Sequence, residues 1–139
     1  MTQNNFPFPS DGKRYYTWNR YLRNEFGKKV YKVALDAGFD CPNRDGTVAF
    51  GGCTFCSAAG SGDFAGNKVD PIPVQFEKIK AKMENKWKDG LTMAYFQAYT
   101  NTHAPLEVLK EKFEAALACE GVMGLSIATR PDCLPDDVV

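Results

Sequence analysis

The strongest constraint on this fold is an alternation. Three short apolar runs, at 30–37, 91–100 and 122–129, are separated by segments whose apolar residues recur every three or four positions. Runs of this length suit buried strands rather than half-exposed ones. Between the first two, Phe76, Ile79, Met83 and Trp87 line one side of a helix expected over 74–88, with Gly90 as its stop signal. Pro105 suits the first turn of a second helix. Its apolar face is Leu106, Leu109, Phe113 and Leu117, and Gly121 follows its end. Strands alternating with amphipathic helices form parallel βαβ units. The expected fold class is therefore α/β with about three βα units. Residues 134–139 read as the start of a further helix, with Asp136 and Asp137 placed for its N-terminal dipole. On this reading residues 1–29 are a basic, aromatic extension. Residues 30–139 are the first part of a core domain that continues beyond 139.

Composition excludes several classes. The 139 residues carry 17 Lys+Arg against 17 Asp+Glu, a balance that argues against a strongly electrostatic nucleic-acid or membrane binder as a whole and leaves local patches open. With 44% hydrophobic residues the chain can bury a core without disulfides or a structural metal. No run approaches the roughly 18 apolar residues of a spanning helix. Residues 1–10 lack the apolar stretch of a signal peptide. A cytoplasmic protein with no membrane partner is the expectation.

Against that background the five cysteines are informative, because an odd number in a reducing compartment argues against a disulfide framework. Three fall in a segment, 40–73, dense in Gly, Ser, Asp and Pro, where a loop is expected. Structureless loops of that length are usually functional or disordered. Cys41, Cys53 and Cys56 follow the spacing C-x11-C-x2-C. Two thiolates three positions apart can share one metal centre, and Cys41 joins them if the segment containing Gly46, Gly51 and Gly52 folds back. Three thiolates satisfy iron–sulfur chemistry with one iron left open. Zinc is the competing reading and needs a fourth ligand, for which His103, Cys119 and Cys133 are the candidates. A redox-active or inert pair at Cys53 and Cys56 is the plainer reading.

The words that surround these cysteines are distinctive. Cys41-Pro42-Asn43-Arg44-Asp45-Gly46, Gly51-Gly52-Cys53-Thr54-Phe55-Cys56, Ser61-Gly62-Asp63-Phe64 and Thr129-Arg130-Pro131-Asp132-Cys133-Leu134-Pro135 resemble the radical S-adenosylmethionine (SAM) superfamily. Within it they resemble the YhcC/YtqA type, relatives of the Elongator catalytic subunit. The resemblance implies the N-terminal half of a partial (β/α)6 TIM-like barrel, with a 4Fe–4S cluster at its mouth ligated by Cys41, Cys53 and Cys56. It implies reductive cleavage of SAM at the fourth iron to a 5′-deoxyadenosyl radical, with electrons from a flavodoxin- or ferredoxin-type donor. It also implies tRNA as a partner, through wobble-uridine modification; a small-molecule or protein substrate is the alternative.

Other residues follow from this frame. Many superfamily members carry Gly-Gly-Glu after the second strand; here that stretch contains Gln97, Tyr99 and Asn101, read as SAM-side residues against ordinary strand-to-helix capping. Arg130 is expected to fork onto the SAM carboxylate, and Asp132 to orient it or take a ribose hydroxyl. The plain alternative is a surface ion pair between the two. Phe55 and Phe64 are expected to shield the cluster. His103 is read as a capping or surface residue and Cys119 as packing. Between Lys13 and Lys32 lie seven Lys or Arg and one acidic residue among aromatics, a stretch suited either to RNA or to packing on the barrel.

Overall fold

The computed structural model describes residues 12–139. Its elements are α1 (Trp18–Phe26), β1 (Val30–Leu35), α2 (Ile72–Glu84), β2 (Leu91–Phe96), α3 (Leu106–Leu117) and β3 (Val122–Ile127), followed by a 3-10 turn at Pro131–Cys133. The three strands form one parallel sheet in the order β1-β2-β3. The chain is therefore α/β, as its periodicity predicts.

The pleat divides the apolar residues between the two faces of the sheet. Tyr31, Val33 and Leu35 of β1 and Ala94 and Phe96 of β2 join Ile72 and Phe76 of α2 and Ala116 of α3 in the main core. Phe96 meets Phe113 of α3 edge to face, with ring centroids 5.0 Å apart. Both crossover helices thus lie on one face. On the other face a smaller cluster of Val30 and Met93 is covered by Leu22, the buried residue of α1.

Several boundaries differ from the sequence reading, each for a local reason. Helix α1 falls in the segment read only as an extension. Thr17 caps it by accepting the Arg20 amide at 3.1 Å, and Gly27 ends it at φ 70°. The expectations for residues 1–11 lie outside the described residues. Helix α2 begins at Ile72 because Pro73 fits its first turn, where a missing N–H costs nothing. Strand β2 stops at Phe96 rather than residue 100, because the next residues hydrogen-bond to loops. Residues 134–139 form a turn closed by the Val138 amide on the Pro135 carbonyl, not a helix. Among the described residues no helix is long and apolar enough to cross a membrane.

Gln75 ties the long β1–α2 loop shut at both ends. Its buried side chain accepts the Asp36 amide at 2.9 Å and donates to the carbonyls of Asp36 at 2.8 Å and Asp70 at 2.9 Å. Buried polar groups stripped of their partner cost about 1–3 kcal/mol. Gln75→Ala is expected to lower unfolding free energy by at least that amount in urea titration, with the far-ultraviolet spectrum of the folded state unchanged.

Candidate metal centre

All three loop cysteines line one cavity of about 440 Å³ at the C-terminal ends of the strands, together with Tyr95, Gln97, Tyr99 and Arg130. Parallel α/β folds place ligands at this end of the sheet.

The loop reaches this position by folding back on itself. The amides of Arg44 and Asp45 close a turn on the Cys41 carbonyl, at 2.8 and 3.0 Å. The Gly52 amide then donates to the Asn43 carbonyl at 2.9 Å, bringing the Cys53 segment beside the Cys41 turn. Gly51 and Gly52, at φ 84° and 79°, take the left-handed backbone that this reversal requires. Arg44 links the two halves, with Nη2 donating to the Ser57 carbonyl at 2.5 Å and its guanidinium 5.3 Å from the centre of the Tyr99 ring.

The end of β2 holds the loop in place. Gln97 Nε2 donates to the Ser61 carbonyl at 2.8 Å, and the Tyr99 hydroxyl donates to the Ala58 carbonyl at 3.2 Å. The Tyr99 amide donates to the Gly60 carbonyl at 2.9 Å, and the Thr100 amide to that of Asp40 at 3.2 Å. Tyr99 adopts φ 63°, unusual for a residue with a side chain, and its ring packs where a Cβ on Gly60 would approach within 2.5 Å.

Each of the three sulfurs has a polar hydrogen-bond neighbour. Thr100 Oγ1 donates to Cys41 Sγ at 3.3 Å, Asn43 Nδ2 donates to Cys53 Sγ at 3.1 Å, and Ser61 Oγ lies 3.5 Å from Cys56 Sγ. Arg130 Nη1 lies 3.9 Å from Cys41 Sγ. Burial alone would raise the Cys41 thiol, but bonds from Thr100, the Asn43 amide and Arg130 outweigh it and hold the thiol below its ordinary value. Arg44 is held above its ordinary value by its hydrogen bond to Cys56. Thiolates are the metal-binding form, and nearby donors and cations favour them. All three cysteines are free and half-buried.

Other residues from the sequence reading lie elsewhere. Asn101 is fully buried, and its amide donates to the carbonyls of Phe96 at 3.1 Å and Ala128 at 3.0 Å, joining the ends of β2 and β3 instead of facing the cavity. Asp132 lines a neighbouring cavity and receives the Arg130 fork, Nε at 2.9 Å and Nη2 at 2.6 Å, so the ion pair of the plainer reading is present. Phe55 lies on the cavity rim at 87% exposure and Phe64 at 88%, so neither shields the site in this chain alone. Cys119 packs against the main core and bonds the Ala115 carbonyl. Cys133 is buried against the neighbouring cavity, where Thr102 Oγ1 donates to its carbonyl. Among the described residues no three His, Cys, Asp or Glu side chains lie close enough together to hold a single metal ion.

Sequence reasoning missed Arg44, Asn43, Thr100 and the His103–Asp45 pair. The first two sit inside the Cys41–Gly46 word, the only signal available for them. His103 lies at the surface as expected, and there its Nε2 is 2.6 Å from Asp45 Oδ2, latching the Cys41 turn to the β2–α3 connection.

The comparisons with known proteins place this chain among long relatives. It is 70% identical over 140 residues to the uncharacterized protein YtqA of Bacillus subtilis, covering 100% of this chain and 44% of that protein. It is 44% identical over 118 residues to the protein YhcC of Escherichia coli K12, covering 85% of this chain and 37% of the relative. The uncharacterized protein MJ0486 of Methanocaldococcus jannaschii matches at 39% over 127 residues, 90% of this chain and 38% of the relative. The chain spans less than half the length of each of these proteins. No family model and no solved structure matches it.

The latch has a pH signature. Bonds from the Thr47 hydroxyl and amide, then from His103, pull the Asp45 carboxyl down to about 2. A lowered folded value means the contribution is complete above the unfolded value, about 3.9, and is lost as pH falls through about 2. An NMR titration of the Asp45 carboxyl carbon is expected to turn near 2 in the native chain and higher in His103→Ala, and an unchanged midpoint in that variant contradicts the latch. Gly60→Ala should displace the Tyr99 ring and, with φ at 58°, destabilise the chain by about 1–2 kcal/mol in denaturant.

Proposed function

We propose that this chain is the N-terminal part of a radical SAM iron–sulfur enzyme of the YhcC/YtqA type, with Cys41, Cys53 and Cys56 as the ligands of a 4Fe–4S cluster. The observation that carries the reading is the convergence of these three free thiols on one cavity, each with a polar neighbour at its sulfur. Three thiols lining one cavity suit a cofactor that takes three protein ligands. Hydrogen bonds to cysteine sulfur are also among the levers that set an iron–sulfur potential.

The fold supports the same reading. Strand order follows chain order, and both crossover helices lie on one face, the arrangement of a barrel wedge rather than a doubly wound sheet. The finer proposal is a partial (β/α)6 barrel whose remaining strands belong to the longer protein.

A bound cluster of this kind supplies one-electron reduction of SAM, with electrons from a flavodoxin- or ferredoxin-type donor. This chain's residues hold and orient. Cys41, Cys53 and Cys56 present their sulfurs to the cavity. Thr100, Asn43 and Ser61 fix sulfur orientation and spread its charge. Gln97 and Tyr99 line the wall on the β2 side and anchor the loop above it. Arg130 brings positive charge to the Cys41 side, and Asp132 fixes its guanidinium plane. The proposed substrate is a tRNA nucleoside, resting on the Elongator resemblance alone.

Zinc is less well served by this geometry. His103 is bonded to Asp45, Cys119 lies on the α3 side of the core and Cys133 lines the other cavity, so none of the three supplies a fourth ligand. Anaerobic reconstitution should load about four iron and four sulfide per chain on the native sequence. Cys41→Ala, Cys53→Ala or Cys56→Ala should each cut that loading severely while preserving the circular dichroism of the folded chain. Stoichiometric zinc with no bound sulfide, or full loading in all three variants, overturns the proposal.

A further inference from the structure

A second surface lies at the opposite end of the sheet, where the strands begin. Arg23 of α1, Lys28 and Lys29 before β1, and Lys86 and Lys88 after α2 line an open cleft of about 510 Å³ around Trp87. The only acidic side chain among its lining residues is Asp89. Among the described residues none of the five cations forms an ion pair. A chain of zero formal charge therefore gathers a net four positive charges in one cleft.

Two ordinary explanations fall short of this excess. Helices α1 and α2 both end here, and each C-terminus carries about half a negative charge, so together they offset about one of the four. Trp87 attracts cations through its ring, with Lys29 Nζ 4.7 Å and Lys86 Nζ 5.3 Å from its centre. Those contacts draw like charges together at some electrostatic cost and neutralise neither. Lys29 is further fixed by donating to Asn19 Oδ1 at 2.7 Å. The result is a positive surface whose charge Asp89 and the two helix ends offset only in part, with Glu84 and Glu120 in the adjoining cavity that shares Trp87 and Lys88.

We propose that this cleft binds the phosphate backbone of a nucleic acid, through charge and without reading base identity. Four of the five cations are lysines, point charges on flexible stems rather than rigid forks. Both helix ends at the cleft are C-terminal, presenting carbonyls rather than the N–H groups that grip a single phosphate closely. Such a surface suits charge distributed along a strand better than one small anion held tightly. Trp87 packs against the main core and carries Lys29 and Lys86 over its ring, which makes it a support for the cations, not a stacking platform. The cleft lies about 20 Å from the cysteine cavity, the length of a six-residue strand, so its role is to anchor a strand and not to react with it.

The inference stands on this cleft alone and does not require the cysteine chemistry. The test is fluorescence anisotropy of a labelled 12-nucleotide oligouridylate with the full chain, repeated across a salt series. Three to four backbone contacts predict a slope of log affinity against log salt of roughly −2 to −3. The double variant Lys28→Glu/Lys88→Glu, at two exposed positions, should weaken binding at least tenfold with its melting curve unchanged. Native affinity in the Cys41→Ala/Cys53→Ala/Cys56→Ala variant separates this site from the proposed cluster. Binding that ignores salt or survives the charge reversal overturns the proposal. So does binding confined to tripolyphosphate, or to vesicles containing phosphatidylserine, when either is offered in place of the oligonucleotide.

Discussion

The functional end of this chain depends on hydrogen bonds that leave the sheet. Strand β2 stops pairing as a strand at Phe96, and Gln97, Tyr99 and Thr100 instead bond the loop that carries the cysteines. A loop of this length has little core of its own: Phe50, Phe55 and Phe64 are all exposed. Its conformation is fixed by polar contacts to a rigid strand end, by Arg44 across its two halves, and by the Asp45–His103 latch at its outer turn. The three thiols share a cavity because these contacts act together.

Much of the fold was legible from periodicity. Apolar runs buried in a parallel sheet and helices with one apolar face leave patterns that depend only on neighbours in sequence. What failed were the positions where a tertiary contact decides. Residues 97–100 look like strand because Ala98 and Thr100 are buried, yet their partners are loop groups. Helix α1 carries a helical alternation of polar and apolar residues, yet it buries a single residue, Leu22, and its basic, aromatic composition reads as an extension.

The candidate site divides in the same way. Spacing and glycine content pointed to Cys41, Cys53 and Cys56, because a fold-back is a local event. Gln97 and Tyr99 do line the cavity with them, and Asp132 holds Arg130 beside it, whereas Asn101 is spent joining two strand ends. No sequence rule distinguishes an asparagine that faces a cavity from one that replaces a backbone partner. The donors to the sulfurs were equally hidden, since Thr100 meets Cys41 across 59 residues of chain. The two ends of the sheet also differ in character. Thiols and their donors gather where the strands finish, and lysines with no ion pair among the described residues gather where they start.

The central claim is that three thiolates hold a cluster with one iron open to SAM. Electron paramagnetic resonance of the anaerobically reconstituted, reduced full-length protein, recorded with and without SAM, tests it most directly. The account predicts a 4Fe–4S signal whose shape shifts on adding SAM. A cluster signal indifferent to SAM, or zinc in place of any cluster, would contradict it.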